Sequence, residues 1–132
     1  MEREQRLQAL MNTDNFMKRF KMELNQVKEG YIDLRVAIKE DMLRMGEIVN
    51  GGVILGLFDI AGALTIFTID GVINGFTISL NTNFMRSLSG NYARIISESK
   101  SHGKTHAFIH LNMYNDEGEN TAVANGVWGI YR

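Results

Sequence analysis

The N-terminal part of the chain carries apolar side chains at helical spacing. Over residues 2–28 they follow one another by steps of three and four, except for one step of five across an Asn-Thr-Asp run that ends at Asp14. Such a run favours the start of a helix, so we expect an N-terminal helical segment over residues 1–28 with a break near Asp14. The apolar positions are Leu7, Leu10, Met11, Phe16, Phe20, Leu24 and Val27.

The pattern then predicts one strand and one buried helix. Residues 30–39 alternate apolar and polar side chains, which predicts a strand with one buried face. Residues 40–47 lack such a pattern and are interpreted as a loop. Residues 53–67 are apolar on nearly every side and too long for a strand, so they predict a helix that other elements surround.

The remaining chain predicts four strands. The first covers residues 76–84, and the side chains expected to share one of its faces are Phe76, Ile78, Leu80, Thr82 and Phe84. The other three strands are expected at residues 93–99, 105–115 and 121–131, and the turns that join them at residues 101–104 and 116–120. This order of elements predicts an α+β fold in which an antiparallel sheet curls around one central helix.

Composition narrows the class of protein. A chain of 132 residues corresponds to a single domain, residues 1–132. Lys+Arg number 14 and Asp+Glu number 15, and a net charge of −1 disfavours a nucleic-acid partner. There is no cysteine, so disulfides, thiolate nucleophiles and cysteine-based metal sites are excluded. Residues 1–6 are charged and lack the apolar run of a signal peptide, so a cytoplasmic location is expected.

Residues 49–69 raise the alternative of a membrane helix. They are long enough to cross a bilayer and contain one charge, Asp59. They also contain Asn50 and four glycines, and no basic residue lies close on either side. These features favour a buried helix of a soluble fold, so no membrane association is expected.

The clearest candidate for chemistry is the start of this helix together with Asp59. Gly51 and Gly52 would let a ligand approach the backbone, and the free N–H groups of a first helical turn suit an oxyanion. A carboxylate on an apolar helix is costly to bury unless it is paired or faces a cavity, which favours a functional role for Asp59. Tight packing of the helix on a strand is the alternative explanation for the glycine pair.

Two other groups of residues carry weaker signals. His102, His106 and His110 would share a face only on a helix, and on a strand the last two lie about 13 Å apart, so no metal site is expected. The second group is basic and forms either a solvated face or a clamp for the phosphates of a nucleotide tail. Its members are Arg86, Arg94, Lys100 and Lys104.

The motif of residues 50–62 resembles that of the hotdog-fold thioesterases, in particular the PaaI-like (phenylacetyl-CoA thioesterase) branch. As in that family's His-Gly-Gly start, an acidic residue stands seven positions after the second glycine. The resemblance extends over residues 30–132 and implies a sheet of five or six strands around a long central helix, with paired subunits. The downstream parts that follow the family's layout are residues 81–85, Gly90, Gly103, Lys104 and residues 122–131.

The resemblance implies roles for four residues. Asp59 matches the catalytic carboxylate, which activates water as a general base or attacks the thioester directly. Gly51 matches the glycine whose N–H stabilises the oxyanion, and Thr77 matches a hydroxyl beside the nucleophilic water. Asn50 stands where the family usually has histidine, and its amide could orient the carbonyl or the water.

The implied reaction is hydrolysis of an acyl-CoA thioester of a medium-chain or aromatic acid to the free acid and CoA. Coenzyme A is part of the substrate, so no cofactor and no metal is expected. Gly51 and Asp59 would lie about 12 Å apart along one helix, so each site is expected to be shared within a homodimer, itself half of a tetramer. The residues expected to bind substrate are Gly52, Leu55, Phe58, Gly62, Arg86, Arg94 and Lys104.

Two other functions fit the same fold. A non-catalytic acyl-CoA-binding protein would explain Asn50 in place of histidine as a mark of lost activity. A hotdog hydratase or dehydratase would use a histidine with an acidic partner, but no histidine lies near Asn50 in the sequence. Turnover of acyl-CoA separates an enzyme from a binding protein.

Overall fold

The computed structural model describes residues 2–132 and contains a six-stranded antiparallel sheet that curls around a long helix, as expected from the sequence. Its helices and strands are α1 (Arg3–Thr13), β1 (Met22–Lys28), β2 (Tyr31–Ala37), β3 (Leu43–Arg44), β4 (Ile48–Val49), α2 (Gly51–Phe67), β5 (Asn74–Phe84), β6 (Tyr92–His102), β7 (His106–Tyr114) and β8 (Asn120–Tyr131). The sheet order is β1, β2, β6, β7, β8, β5, and β3 and β4 form a separate hairpin.

The central helix α2 is apolar on every side because the sheet wraps around it. Leu57, Phe58 and Leu64 are completely buried, and Asp59 is the only charged residue of the helix. Each such apolar side chain contributes about 1.5–3 kcal/mol on burial, so contacts between α2 and the sheet form the core of the domain. Among residues 2–132, no helix combines the length and the apolar character that a membrane crossing requires.

The predicted N-terminal helical segment is correct only as far as Thr13, where α1 ends. The Asp14 carboxylate accepts hydrogen bonds from the N–H groups of Phe16 and Met17, both at 3.0 Å, and a short 3-10 turn follows. The predicted break near Asp14 is therefore confirmed. The helix predicted for the last part of the segment is wrong, because β1 pairs there with β2 as an edge strand.

A β-bulge explains why β1 has helical spacing in the sequence. The register of β1 against β2 shifts between Leu24 and Gln26, and the extra residue brings Leu24 and Val27 onto one half-buried face. Two apolar residues three positions apart are typical of a helix, and a bulged strand produces the same spacing. The backbone hydrogen bonds that β2 supplies to this segment outweigh its local helical preference.

A second bulge, in β5, changes which side chains face the helix. The register against β8 shifts between Thr77 and Ser79, so these two residues point to opposite faces although they are two positions apart. The expectation that Phe76 and Leu80 share a face is wrong, since the Phe76 ring lies 5.8 Å from that of Tyr131 on the outer side of the sheet. Thr77 turns inward, toward α2.

The segment interpreted as a loop, residues 40–47, holds a 3-10 turn and the first strand of the β3–β4 hairpin. Gly46 and Glu47 have φ values of 91° and 62°, which lets the chain reverse direction between the two strands. The Asn50 N–H donates to the Met42 carbonyl at 2.9 Å. This bond ties the residue before α2 to the turn and so fixes where the helix begins.

Candidate active site

The N-terminus of α2 leaves one backbone donor free. Asn50 caps the helix, because its Oδ1 accepts the Gly52 N–H at 2.7 Å and its carbonyl accepts the Val53 N–H at 3.0 Å. The Gly51 N–H between them has no acceptor among residues 2–132. It lies at the positive end of the helix dipole and is therefore the donor best placed to bind an oxyanion.

The cap also limits what Asn50 and Gly52 can contribute. The N–H of Gly52 is already bonded, so this glycine does not supply a second oxyanion donor. The Oδ1 of Asn50 is occupied as well, which leaves the amide Nδ2 as the polar atom that can donate to a substrate or a water.

Gly51 opens into a cleft of about 350 Å³, which we call the Gly51 cleft. Ile54 and Phe84 contribute apolar walls, and the side chains of Arg44 and Arg86 lie at its rim. Arg86 is paired with Glu119 at 2.6 Å, and both side chains are about half-exposed. The cleft therefore combines a free N–H group, apolar walls and positive charge.

Asp59 lies two turns further along α2 and is half-buried. Its Oδ1 accepts a hydrogen bond from the Thr77 hydroxyl, which the bulge in β5 turns toward the helix. Its Oδ2 has no partner among residues 2–132. Thr77 thus holds one oxygen of the carboxylate and leaves the other free for chemistry.

Asp59 and Thr77 open into a second cavity of about 280 Å³, which we call the Asp59 cavity. The structure thus brings together the carboxylate and the hydroxyl that the sequence pointed to. The other walls come from the segment after α1, from α2, from β5 and from β8, and they combine apolar side chains with polar groups that include Asp14. The apolar side chains of these walls are those of Phe16, Met17, Ile60, Ala63 and Trp128.

Within one chain, the two halves of the predicted site are separate. Gly51 and Asp59 are eight residues apart on a regular helix, which is about 12 Å along its axis. They open into different cavities, which share no wall residue. One thioester group cannot contact both the Gly51 N–H and the Asp59 carboxylate of the same helix.

Three residues predicted to bind the acyl group lie elsewhere. Phe58 is completely buried in the core, and Gly62 is buried beneath the indole of Trp128, so neither lines the Asp59 cavity. Leu55 lies on the exposed side of α2. The apolar character of α2 that motivated these choices reflects contact with the sheet rather than with a ligand.

The predicted basic residues do not form one cluster. Arg94 makes two hydrogen bonds to the Asp33 carboxylate, at 2.9 and 2.7 Å, on the face of the sheet opposite α2. These bonds hold the pKa of Asp33 below its usual range and raise the pKa of Arg94. Lys104 is exposed in the turn after β6, about 30 Å along the chain from Arg94, and Arg86 lies at the Gly51 cleft.

The three histidines are also apart from one another. His110 is bonded to Asn125 at 2.8 Å, and His102 and His106 contact the hydroxyl groups of Ser99 and Thr105. Across residues 2–132, no three His, Asp or Glu side chains are placed so that they could hold a metal ion.

Comparisons with known proteins place this geometry in a family. The chain matches the thioesterase superfamily over residues 46–122. A candidate esterase of Thermoplasma volcanium is 34% identical over 126 residues, which are 96% of this chain and 95% of that protein. The match to the superfamily includes Gly51, Asp59 and Thr77.

Solved structures show the same fold. The PaaI protein of E. coli, from the phenylacetic acid degradation operon, has a TM-score of 0.88 at 16% identity and covers 98% of this chain and 94% of its own. A hypothetical thioesterase protein of Streptococcus pneumoniae, solved with coenzyme A, has a TM-score of 0.79 at 19% identity and covers 84% and 86%. With a family match over more than half of its length and this fold, the chain belongs to the thioesterase superfamily and is a hotdog-fold thioester hydrolase.

Proposed function

We propose that the protein hydrolyses acyl-CoA thioesters at a site that two copies of the chain share. The observation that carries the proposal is the separation of the free Gly51 N–H from the Asp59 carboxylate by about 12 Å, in different cavities. Each chain then supplies the base for one site and the oxyanion donor for the other. A two-fold dimer with antiparallel α2 helices would bring Asp59 of one copy beside Gly51 of the second copy.

The edge of the sheet supports this dimer. β5 is paired with β8 on one side and has no strand on its other side within the described sheet. An unpaired strand is a template for pairing with another chain. Large apolar side chains about half-exposed on or beside this edge and on α2 are Leu55, Ile78, Phe84 and Met85. Pairing β5 with β5 of a second copy would cover them and continue the sheet.

In the proposed reaction, Asp59 takes a proton from a water molecule, whose oxygen attacks the thioester carbon. The carbonyl oxygen becomes an oxyanion, which the Gly51 N–H of the second copy stabilises. The tetrahedral intermediate then collapses with cleavage of the C–S bond, and the CoA thiolate takes up the proton. In the alternative route, Asp59 attacks the carbon itself and displaces the CoA thiolate, and water then hydrolyses the mixed anhydride to the free acid and regenerates the Asp59 carboxylate.

Thr77 and Asn50 have supporting roles in this proposal. The Thr77 hydroxyl orients the Asp59 carboxylate, so that its free oxygen faces the cavity. The amide Nδ2 of Asn50 donates to the carbonyl group or to the attacking water. An amide does not titrate near neutral pH, so Asn50 takes no part in proton transfer.

The walls of the two cavities indicate the class of substrate. Apolar side chains from α2, β8 and the segment after α1 line much of the Asp59 cavity, which fits a medium-chain or aromatic acyl group. We propose that Arg86, at the rim of the Gly51 cleft, meets the phosphates of CoA. Lys104 lies next to the residue that pairs with Ile130, at the end of β8 opposite to Arg86, so it meets the same phosphates only if the second copy supplies it. Arg94 is the weaker candidate, because Asp33 already occupies its guanidinium group. No cofactor other than the CoA of the substrate enters this scheme.

Release of free thiol from a panel of acyl-CoA esters tests the function. We expect turnover by the wild-type protein and a loss of kcat of about 100-fold or more in Asp59→Asn, which keeps the shape but removes the base. Glu117→Gln is a control at an exposed carboxylate that lines none of these cavities, and it should retain activity. Binding of acyl-CoA without turnover would instead show a non-catalytic binding protein, and near-normal turnover in folded Asp59→Asn would exclude the assigned role.

A further inference from the structure

Two cavities lie on the same face of α2. The Asp59 cavity rests on Asp59 and Ala63, and a larger cavity of about 470 Å³ rests on Gly52 and Val53. Steps of three and four along a helix return to the same side, so these positions follow one stripe with Gly56 midway between them. The two cavities are thus the two ends of one groove along the helix.

The ring of Phe16 divides this groove. Phe16 is the one residue that lines both cavities. A Cβ atom at Gly56 would lie 3.2 Å from the ring, so the ring rests directly on the helix where no side chain intervenes. The ring therefore stands as a partition over the midpoint of the stripe.

Local contacts hold the partition in place. The Phe16 N–H donates to the Asp14 carboxylate at 3.0 Å, and the Phe20 ring lies edge-on at 5.4 Å between centroids, with 84° between the planes. The side of the ring away from these contacts is open, and 47% of the residue is exposed. Phe16 is thus fixed in position without belonging to the buried core.

We infer that Phe16 sets the length of the acyl chain that the enzyme accepts. The inference rests on the proposed function, which places the thioester carbon at Asp59. From there an acyl chain enters the Asp59 cavity along its apolar side chains and ends at the Phe16 ring. That cavity, at about 280 Å³, falls just below the range of about 300–1,000 Å³ usual for ligand sites, and joining it to the larger cavity would bring the groove well inside that range.

The test measures binding of S-alkyl-CoA thioethers of increasing chain length, which are not hydrolysed. Trp128 is the only tryptophan of the chain and lines the Asp59 cavity, so its fluorescence reports occupancy, with calorimetry as a second readout. In the wild-type protein, the Kd should fall about fourfold per methylene until the chain reaches Phe16 and then level off. In Phe16→Ala, the fall should continue over several further methylenes, and Phe16→Leu should be intermediate.

Phe108→Ala provides the matched control, because Phe108 is equally exposed but lines a cavity of β7 and β8 away from α2. The Kd of this variant should level off at the same chain length as that of the wild-type protein. Levelling at one chain length in all variants would overturn the role of Phe16 and leave the proposed function intact. Failure of every thioether to bind the wild-type protein would overturn the substrate class and this inference together.

Discussion

A single contact between side chains, from the Thr77 hydroxyl to the Asp59 carboxylate, orients the group to which the proposed function assigns the proton transfer. Asp59 is the only charge on a buried helix, and the hydroxyl occupies one of its two oxygens. The free oxygen then faces the cavity in a defined direction. At the scale of single residues, the candidate site depends on which polar atoms are already hydrogen-bonded and which are free. At the start of α2, likewise, Asn50 Oδ1 is bonded to Gly52, whereas the Gly51 N–H is free among the described residues.

Thr77→Val tests the importance of this contact, since it keeps the shape of the side chain and removes the hydroxyl. A hydrogen bond to a charged group contributes about 1.5–3 kcal/mol, so we expect kcat to fall about tenfold or more with little change in KM. Thr82→Val is the same change in the same strand, at a buried hydroxyl without a partner among the described residues, and should be close to wild type. Equal kcat values for the two variants would contradict a positioning role for Thr77.

The Asp33–Arg94 pair predicts how stability responds to acid. Hydrogen bonds from Arg94 lower the pKa of Asp33 in the folded protein, so the stabilisation is complete above the unfolded-state pKa of about 3.9 and is lost as the pH falls through the folded value. We expect Asp33→Asn to be less stable than wild type at pH 7. The difference in the free energy of unfolding should shrink steadily as the medium is acidified below about pH 4.

Urea unfolding at a series of pH values measures this effect, with Asp41→Asn as the control at an exposed carboxylate. The control should show the same pH dependence as the wild-type protein. A stability difference between Asp33→Asn and wild type that stays constant with pH would show that the pair does not act through its charge.

At the scale of helices and strands, periodicity predicted most of the fold, and bulges account for the errors. The central helix and five of the six strands of the sheet lie where alternation and helical spacing placed them. β1 was mistaken for helix and the inward face of β5 was misjudged, each at a position where one extra residue breaks the alternation. A bulge depends on pairing with a neighbouring strand, which a local pattern does not contain.

The site divides in the same way. Gly51, Asp59 and Thr77 are candidates that the sequence supplies by itself, because a local motif and its resemblance to a family mark them. Phe16 and Met17 could not be predicted in this way, since they reach the Asp59 cavity from a segment more than 40 positions away and carry no chemical signature. Lining residues of this kind are determined by packing in three dimensions rather than by any short motif.

The contact between α2 and β8 at Gly62 predicts how a substitution there changes the stability of the fold. The Trp128 indole lies against Gly62, where an added Cβ would overlap the ring. Gly62→Ala should therefore lower the free energy of unfolding, since so close an approach of the ring puts the overpacking cost toward the upper end of about 1–3 kcal/mol, above the gain of about 1 kcal/mol from alanine in a helix. Gly103→Ala, with open space around the new Cβ, is the control. Thermal unfolding measures the stability of both variants against the wild-type protein. A Gly62→Ala variant as stable as wild type would show that the Trp128 ring can move aside.

For the whole molecule, the proposed function means that a single chain supplies only half of each active site. Three features support the same dimer, in which a second copy pairs with β5. They are the unpaired edge of β5, the exposed apolar residues beside it, and the separation of Gly51 from Asp59. Under the proposed function, folding completes the scaffold, and association completes the chemistry. Activity should then decline on dilution below the Kd of the dimer.

Complementation between two inactive variants tests the shared site. Asp59→Asn removes the base, and Gly51→Leu fills the Gly51 cleft with a bulky side chain. In a mixed dimer, one site carries both lesions and the other carries neither, so co-refolding should restore at most about half of the wild-type activity per mixed dimer. Mixed dimers that form, as shown by mass, but remain inactive would show that the site lies within one chain or that Gly51 is not the oxyanion donor.

The bulge in β5 has a consequence for how this strand can vary in length. Ile78 is the extra residue between two stretches of β5 whose alternation of inward and outward side chains is shifted by one position. Its removal would join the two stretches into one regular strand and leave every other side chain on its present face. Loss of any other residue of β5 while the bulge persists would invert one stretch, exchanging its inward and outward faces. The face to which Thr77 points thus depends on the number of residues in the strand as much as on their identity. A single-residue deletion can change that face, whereas a point substitution leaves it unchanged.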